Sequence, residues 1–258
     1  MIDLHCHILP FLDDGPKSFD ESITMVKQAI SDGIHTLVAT PHHLDGLFLN
    51  SRKQIANHIE MLKNRLENEN IDITILQGME VHLCKTIWQY FESGEAFGIN
   101  HTPYVLLELP GQSIPPQLKN EIFELQVRGY KPIIAHPERN LVIQTHEVII
   151  YDLVSWGVFV QITASSLFGF YGPIAQKCAK LYLKNRIAHL IASDAHSPDN
   201  RPPLLSDAVD YAARVLKDSN EALEMVNKRP EAIIAGQPID CPEPLKSKKG
   251  IAKWFSFR

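Results

Sequence analysis

Cysteine is scarce and unpatterned: four occur among 258 residues, Cys6, Cys84, Cys178 and Cys241, with no C-x-x-C pair. This spacing points to neither a disulfide framework nor a zinc ribbon and leaves most of the thiols as small buried side chains. No run of about 18 apolar residues occurs, so no integral membrane insertion is expected. The opening Met1-Ile2-Asp3-Leu4-His5 has neither the basic flank nor the apolar centre of a secretory signal, and a cytoplasmic location is the expectation. A cationic surplus is missing too: 25 Lys and Arg face 30 Asp and Glu, a formal charge of −5. A nucleic-acid partner held by a broad basic face is thereby disfavoured. Repeats, Gly/Ser linkers and low-complexity blocks are also lacking.

What is present is ordinary globular material, 45% hydrophobic and 21% charged, in a length that suits one large domain or two small ones. Short β-branched runs read as seven strands: Ile2–His7, Thr36–His42, Ile73–Val81, Tyr104–Leu109, Lys131–His136, Phe159–Ala164 and Ile187–Ser193. Helical spacing fills the intervals. Ser18 and Glu21 read as a capping box before Ile23, Val26 and Ile30, with Gly33 as the stop. Further stripes are Ile55, Ile59, Leu62 and Leu66; Leu118, Ile122 and Leu125; and Leu205, Val209, Ala212 and Leu216. Strands alternating with helices imply an α/β domain with parallel strands covered on both faces, as a doubly wound sheet or a barrel. The domain is expected to span residues 1–238, with residues 239–258 as a basic, flexible C-terminal tail. There Lys246, Lys248, Lys249, Lys253 and Arg258 accompany Trp254, Phe255 and Phe257. Such a tail reads as a solvated terminus, or as a weak contact with a membrane surface or partner.

Histidine is the outlier, with twelve in the chain, and its placement matters more than its number. Nearly every strand ends, on its C-terminal side, in a metal-ligand residue type. The first gives His5 and His7 with Asp13 and Asp14 following; the second His42 and His43; the third Glu80 and His82; the fourth Glu108; the fifth His136 with Arg139; the seventh Asp194 and His196. His5 and His7, like Asp194 and His196, are two residues apart, so each pair projects from one side of an extended chain. In parallel α/β folds the C-terminal ends of strands are where sites are built. Nine candidate ligands, His5, His7, Asp14, His42, Glu80, Glu108, His136, Asp194 and His196, exceed what one ion takes, so two or three divalent ions are expected. Imidazole and carboxylate without thiolate suit Mn²⁺, Fe²⁺ or Zn²⁺. Four carboxylates set against those ions and against Arg139 and Arg201 leave a site that favours an anion, and guanidinium forks match phosphate oxygens. Arg139 has the alternative of a surface ion pair with Glu138, and Arg201 of a helix cap.

Taken together, Met1-Ile2-Asp3-Leu4-His5-Cys6-His7, Asp13-Asp14-Gly15, Ala39-Thr40-Pro41-His42-His43, Gly78-Met79-Glu80, Leu106-Leu107-Glu108, His136-Pro137-Glu138-Arg139 and Ser193-Asp194-Ala195-His196 resemble the polymerase-and-histidinol-phosphatase (PHP) superfamily. More closely, they resemble its bacterial manganese-dependent protein-tyrosine phosphatases of capsule and exopolysaccharide regulation. The resemblance implies a distorted (β/α)7 barrel with three metal ions at its C-terminal face. Carried over by motif, His5, His7, Glu80 and Asp194 hold one ion. Glu80 bridges to a second shared with Glu108 and His136, while Asp14, His42 and His196 hold the third. A one-residue shift would exchange Asp13 and Asp14. Arg139 and Arg201 clamp the phosphoryl group, and the implied substrate is a tyrosine-phosphorylated protein, a bacterial tyrosine kinase above all.

The expected reaction is in-line attack by metal-bound hydroxide, with His42, His196 or bound water as possible proton donors. A cysteine mechanism of Cys-x5-Arg type is disfavoured, because six residues after the cysteines stand Leu12, Tyr90, Lys184 and Ser247. A small-molecule phosphoesterase of histidinol-phosphate type is the alternative enzyme. A regulatory protein with structural ions is the non-enzymatic one, disfavoured because no ligand position is lost to an apolar residue.

Overall fold

The computed structural model describes residues 1–245, so the basic residues and aromatics expected in the tail from Lys246 onward lie outside the described residues. Among the described residues nine strands are observed: β1 (Ile2–Cys6), β2 (Thr36–Ala39), β3 (His42–His43), β4 (Thr74–Gln77), β5 (Glu80–His82), β6 (Tyr104–Glu108), β7 (Lys131–Ala135), β8 (Phe159–Thr163) and β9 (Leu190–Ala192). Two of the seven predicted strands are each broken in two. The second breaks at Thr40-Pro41, where proline has no N–H to give a ladder. The third breaks at Gly78-Met79, where a Cβ on Gly78 would lie 2.8 Å from Val38 Cγ1. Every pairing is parallel, in the orders β1-β2-β4 and β3-β5-β6-β7-β8-β9.

The two sheets are one barrel. β2 runs into β3 and β4 into β5, while the far edge closes through a parallel bridge between Cys6 and Ala195, with Asp194 N donating to His5 O at 2.9 Å and His7 N to Ala195 O at 2.8 Å. Seven strand segments therefore follow chain order around the barrel, and the (β/α)7 expectation is met.

Side-chain parity separates two cores. Ile2, Leu4, Val38, Tyr104, Leu106, Ile133, Ala135 and Leu190 meet inside the barrel. Their strand neighbours Leu37, Val105, Leu107, Ile134 and Ile191 point outward and join the larger cluster under the helices.

The helices are α1 (Phe19–Ser31), α2 (Arg52–Asn68), α3 (Ile87–Ser93), α4 (Leu118–Val127), α5 (Leu141–Thr145), α6 (Val148–Ser155), α7 (Gly172–Lys184), α8 (Ser206–Leu216), α9 (Ser219–Glu224) and α10 (Lys228–Ile234). In α1 the expected capping box is half made. Ser18 accepts from Glu21 N, but Glu21 turns back to Lys17 N instead of Ser18 N. Ala29 takes the buried position and Ile30 is exposed. The full reciprocal box stands at Ser51 and Gln54, before the predicted stripe of α2. Helices α9 and α10, absent from the sequence reading, matter for closure: Ile233 of α10 plugs the interior core. Arg229 is buried with both Nη2 bonds on Glu221, each 2.8 Å.

Candidate metal centre

The barrel's geometry turns the candidate ligands inward by specific local devices. Glu108 simply continues the inward parity of Tyr104 and Leu106 in β6. On β1 a register irregularity between Asp3 and Cys6 reverses the alternation. Cys6 therefore faces the outer core while His5 and His7 converge, with their Nε2 atoms 3.1 Å apart. At His136 the chain leaves β7 in a left-handed conformation, φ +32°, and at Asp194 it does so after β9, φ +53°. Both are non-glycine residues in a costly region of backbone space, a strain that surrounding structure must hold in place. The left-handed Asp194 also corrects the expectation that Asp194 and His196 share a side by strand alternation. They do approach, His196 Nδ1 to Asp194 Oδ1 at 3.6 Å, but with Asp194 left-handed and Ala195 bridged to Cys6 between them, beyond the end of β9.

All nine candidate ligands lie in one cluster. Glu80, fully buried, is its centre: Oε2 lies 3.3 Å from His5 Nε2, 3.3 Å from His7 Nε2 and 3.1 Å from His42 Nδ1, while Oε1 lies 2.8 Å from His136 Nε2. Three groups have ligand atoms within 4.8 Å of one another: His5, His7, Glu80 and Asp194; His42, Glu80 and Glu108; and His7, Asp14, His42 and His196. His136 Nε2 stands 3.8 Å from Glu108 Oε1, beside the second group. The acidic pair after β1 is divided by its hydrogen bonds. Asp13 Oδ2 lies 2.7 Å from His7 Nδ1 and accepts from His42 N, whereas Asp14 Oδ1 faces His196 Nε2 at 3.3 Å and His42 Nε2 at 3.5 Å. Asp14 is thus the one directed into the cluster. Gly15 lets the loop turn there, since a Cβ would lie 2.7 Å from His7 O.

Does this donor set fit divalent ions? His5 Nδ1 is engaged by Gln161 Oε1 at 2.9 Å and His7 Nδ1 by Asp13. Each partner accepts the Nδ1 proton, so the neutral rings point unprotonated Nε2 lone pairs at each other. Two lone pairs at 3.1 Å call for a cation between them. His42 Nδ1 and Glu80 Oε2 are likewise buried and close, yet form no hydrogen bond. The residues fit a multi-ion centre.

The carboxylates draw positive charge onto these imidazoles, as protons or as a cation that competes with them. Burial opposes a charged His5, but Glu80 and Asp194 outweigh it and raise its pKa to about 9. Burial likewise opposes a charged His42, yet Glu80 and Glu108 carry it to about 10. His196 is pushed the other way, to about 4, by burial and by His7. Burial would raise Asp194, yet His5, Arg139 and Arg201 hold its carboxyl well below the usual carboxylate range.

The arginines converge on the same residue. Arg139 Nη1 donates to Asp194 Oδ2, and Arg201 Nη2 donates to Asp194 Oδ2 at 2.6 Å and to Asp194 O at 2.9 Å. Arg201 is delivered by an antiparallel bridge between Ser197 and Arg201, with His196 N bonded to Arg201 O. The alternative pairing of Arg139 with Glu138 is not formed. Glu138 turns the opposite way, fully buried, and accepts from Thr163 N and Ser166 Oγ. Tyr171 was missed from sequence; its ring lies 4.3 Å from Arg139 Cζ and 5.7 Å from Arg201 Cζ. Gln161 was missed too, although a glutamine in the apolar run of β8 was a visible signal. His82 reaches the edge of the centre, Nδ1 3.3 Å from Glu108 Oε2. Cys6 is buried outside the cluster, and burial keeps its thiol well above the ordinary range.

A closed parallel barrel with imidazoles, carboxylates and arginines gathered at one mouth is the PHP fold. More specifically, the chain belongs to the family described as capsular polysaccharide synthesis, CpsB/CapC, which matches residues 1–235. It is 38% identical to CapC of Staphylococcus aureus over the whole of both chains. It is 33% identical to the tyrosine-protein phosphatase YwqE of Bacillus subtilis, covering 96% of this chain and 98% of that one. A solved structure from work on YwqE and on CpsB of Streptococcus pneumoniae, metal-dependent tyrosine phosphatases, superposes with a TM-score of 0.90 at 32% identity, over 96% of this chain and 100% of the other.

Proposed function

We propose that this chain is a metal-dependent protein-tyrosine phosphatase of capsule or exopolysaccharide regulation. The reading rests on the geometry above and on relatives named as tyrosine-protein phosphatases. The observation that carries it is the convergence of five imidazoles, four carboxylates and two arginines at one barrel mouth. His5, His7, Asp14, His42, Glu80, Glu108, His136, Asp194 and His196 are the ligands of three divalent ions, with manganese as the metal. Bound ions of this kind activate water and neutralise phosphoryl charge.

The chain's own residues do the rest. Glu80, whose two oxygens face different imidazoles, would hold more than one ion. Asp13 and Gln161 fix the tautomers of His7 and His5. Arg139 and Arg201 present guanidinium groups, 26% and 20% exposed, beside the cluster and able to grip the equatorial oxygens. His42 is more open than His196 and is the better placed of the two to exchange a proton with a bound substrate. Phenolate, with a pKa of about 10, needs little help in leaving.

Residues 1–238 form the phosphatase domain and residues 239–258 a basic tail. The protein acts in the cytoplasm, and its principal substrate is a bacterial tyrosine kinase. The test is hydrolysis of a phosphotyrosyl peptide by protein of known metal content, before and after chelation, with histidinol phosphate in parallel. Turnover of the peptide that disappears on chelation and returns with Mn²⁺ is expected. Preference for histidinol phosphate, or full activity in metal-free protein, overturns the reading.

A further inference from the structure

Beside the arginine pair a cleft of about 410 Å³ opens on the barrel mouth, lined by Arg139, Leu141, Gln144, Tyr171, Pro173 and Ile174. Its volume lies within the range of small-ligand sites. Arg139 belongs to both places: Nη1 is on Asp194 in the metal cluster, while the residue lines the cleft with its guanidinium over the Tyr171 ring. The remaining wall is mostly aliphatic, with Leu141 52% and Ile174 57% exposed. Gln144 is tied down by its bond to Glu138 O, and Gly172, at φ +89°, also lines the cleft. Among the described residues no carboxylate lines the cleft.

We propose that this cleft is the subsite for the phenyl ring of the substrate, with Leu141, Tyr171 and Ile174 as specificity-determining residues. The inference rests on the phosphatase reading and deepens it. A phosphotyrosyl side chain is anionic at one end and a flat apolar ring behind. The cleft offers the complementary order, a guanidinium and then an aromatic and aliphatic wall. A phosphoester carrying an ammonium or imidazolium would need an acidic partner there, and the lining supplies none. The exposed apolar side chains therefore serve recognition of an aromatic leaving group.

The test compares wild type, Ile174→Asn, Leu141→Asn and the conservative Ile174→Leu as metal-loaded full-length enzymes. KM and kcat for a phosphotyrosyl peptide are measured together with the inhibition constant of inorganic phosphate, which occupies the ionic end alone. Both Asn variants are expected to raise KM roughly tenfold, the size of a lost apolar contact. The phosphate constant should stay put, because no charge is added, and Ile174→Leu should keep the wild-type KM. An unchanged KM in the Asn variants, or an equal weakening of phosphate, overturns the subsite. Absence of wild-type turnover would instead overturn the phosphatase reading itself.

Discussion

Asp13 holds His7 from behind: its Oδ2 lies 2.7 Å from His7 Nδ1, and its other oxygen accepts from Gly15 N at 2.9 Å. The carboxylate thereby fixes which nitrogen of the imidazole faces the cluster, although Asp13 is not directed into it. Asp13→Asn should preserve packing while disturbing the tautomer, weakening metal affinity by about 10–100-fold. Metal titration followed by elemental analysis reads this directly, and an unaltered affinity would deny Asp13 an orienting role.

His136→Ala and Asp194→Ala should abolish phosphatase activity, and both should lower metal content. Asp194→Ala also leaves Arg139 and Arg201 without their shared acceptor, and loss of one partner from a buried ion pair costs about 3–5 kcal/mol. A reduced melting temperature is therefore expected beside the lost turnover. Retention of half the activity in either variant would remove that residue from the centre.

Cys6→Ser should keep most of the activity. The side chain is completely buried in the core with the Ser193 hydroxyl beside it, so burying a hydroxyl there costs at most about 1–3 kcal/mol and appears in thermal stability instead. Complete inactivation with metal still bound would mean that the thiol takes part.

Arg139→Lys should impair turnover by more than tenfold despite keeping the charge, since an ammonium cannot reproduce the planar fork that touches Asp194 and stacks on Tyr171. Steady-state kinetics with the phosphotyrosyl peptide decide it. Wild-type kinetics in Arg139→Lys would reduce the arginine to a point charge.

His189 sets a pH dependence of stability away from the centre. Burial, aided by the charge of Arg229, lowers its pKa to about 4, and the neutral ring accepts from Val160 N at 3.0 Å. The unfolded chain protonates this histidine near 6.5, so between about pH 6.5 and 4 it binds the extra proton and the fold loses stability as pH falls. The slope is at most about 1.4 kcal/mol per pH unit. Denaturant unfolding from pH 7 to 4.5 should show a shallower decline in His189→Gln than in wild type. Parallel curves would place the titration elsewhere.

The barrel and the gathering of its candidate ligands were legible in the sequence because strand-end placement is a local pattern. His5, His42, Glu80, Glu108, His136 and Asp194 each follow an apolar run, and all are found at one mouth. The breaks at Thr40-Pro41 and Gly78-Met79 were hidden because each half is too short to carry a period of its own. Tyr171 could not be found by pattern, since it lies outside any strand and its role depends on two guanidinium groups brought from residues 139 and 201. The half-made box at Ser18 shows the same limit. Its motif was present, but Lys17 N competed for the glutamate.

The seam of the barrel joins the first strand to the last, and the centre draws residues from both sides of it: His5 and His7 from the end of β1 and just beyond, Asp194 and His196 from just beyond β9. During synthesis the opening segment must therefore wait, unsealed, until nearly two hundred residues have left the ribosome. A nascent chain cut short before Asp194 lacks both that carboxylate and the bridge at Ala195 that closes the circle.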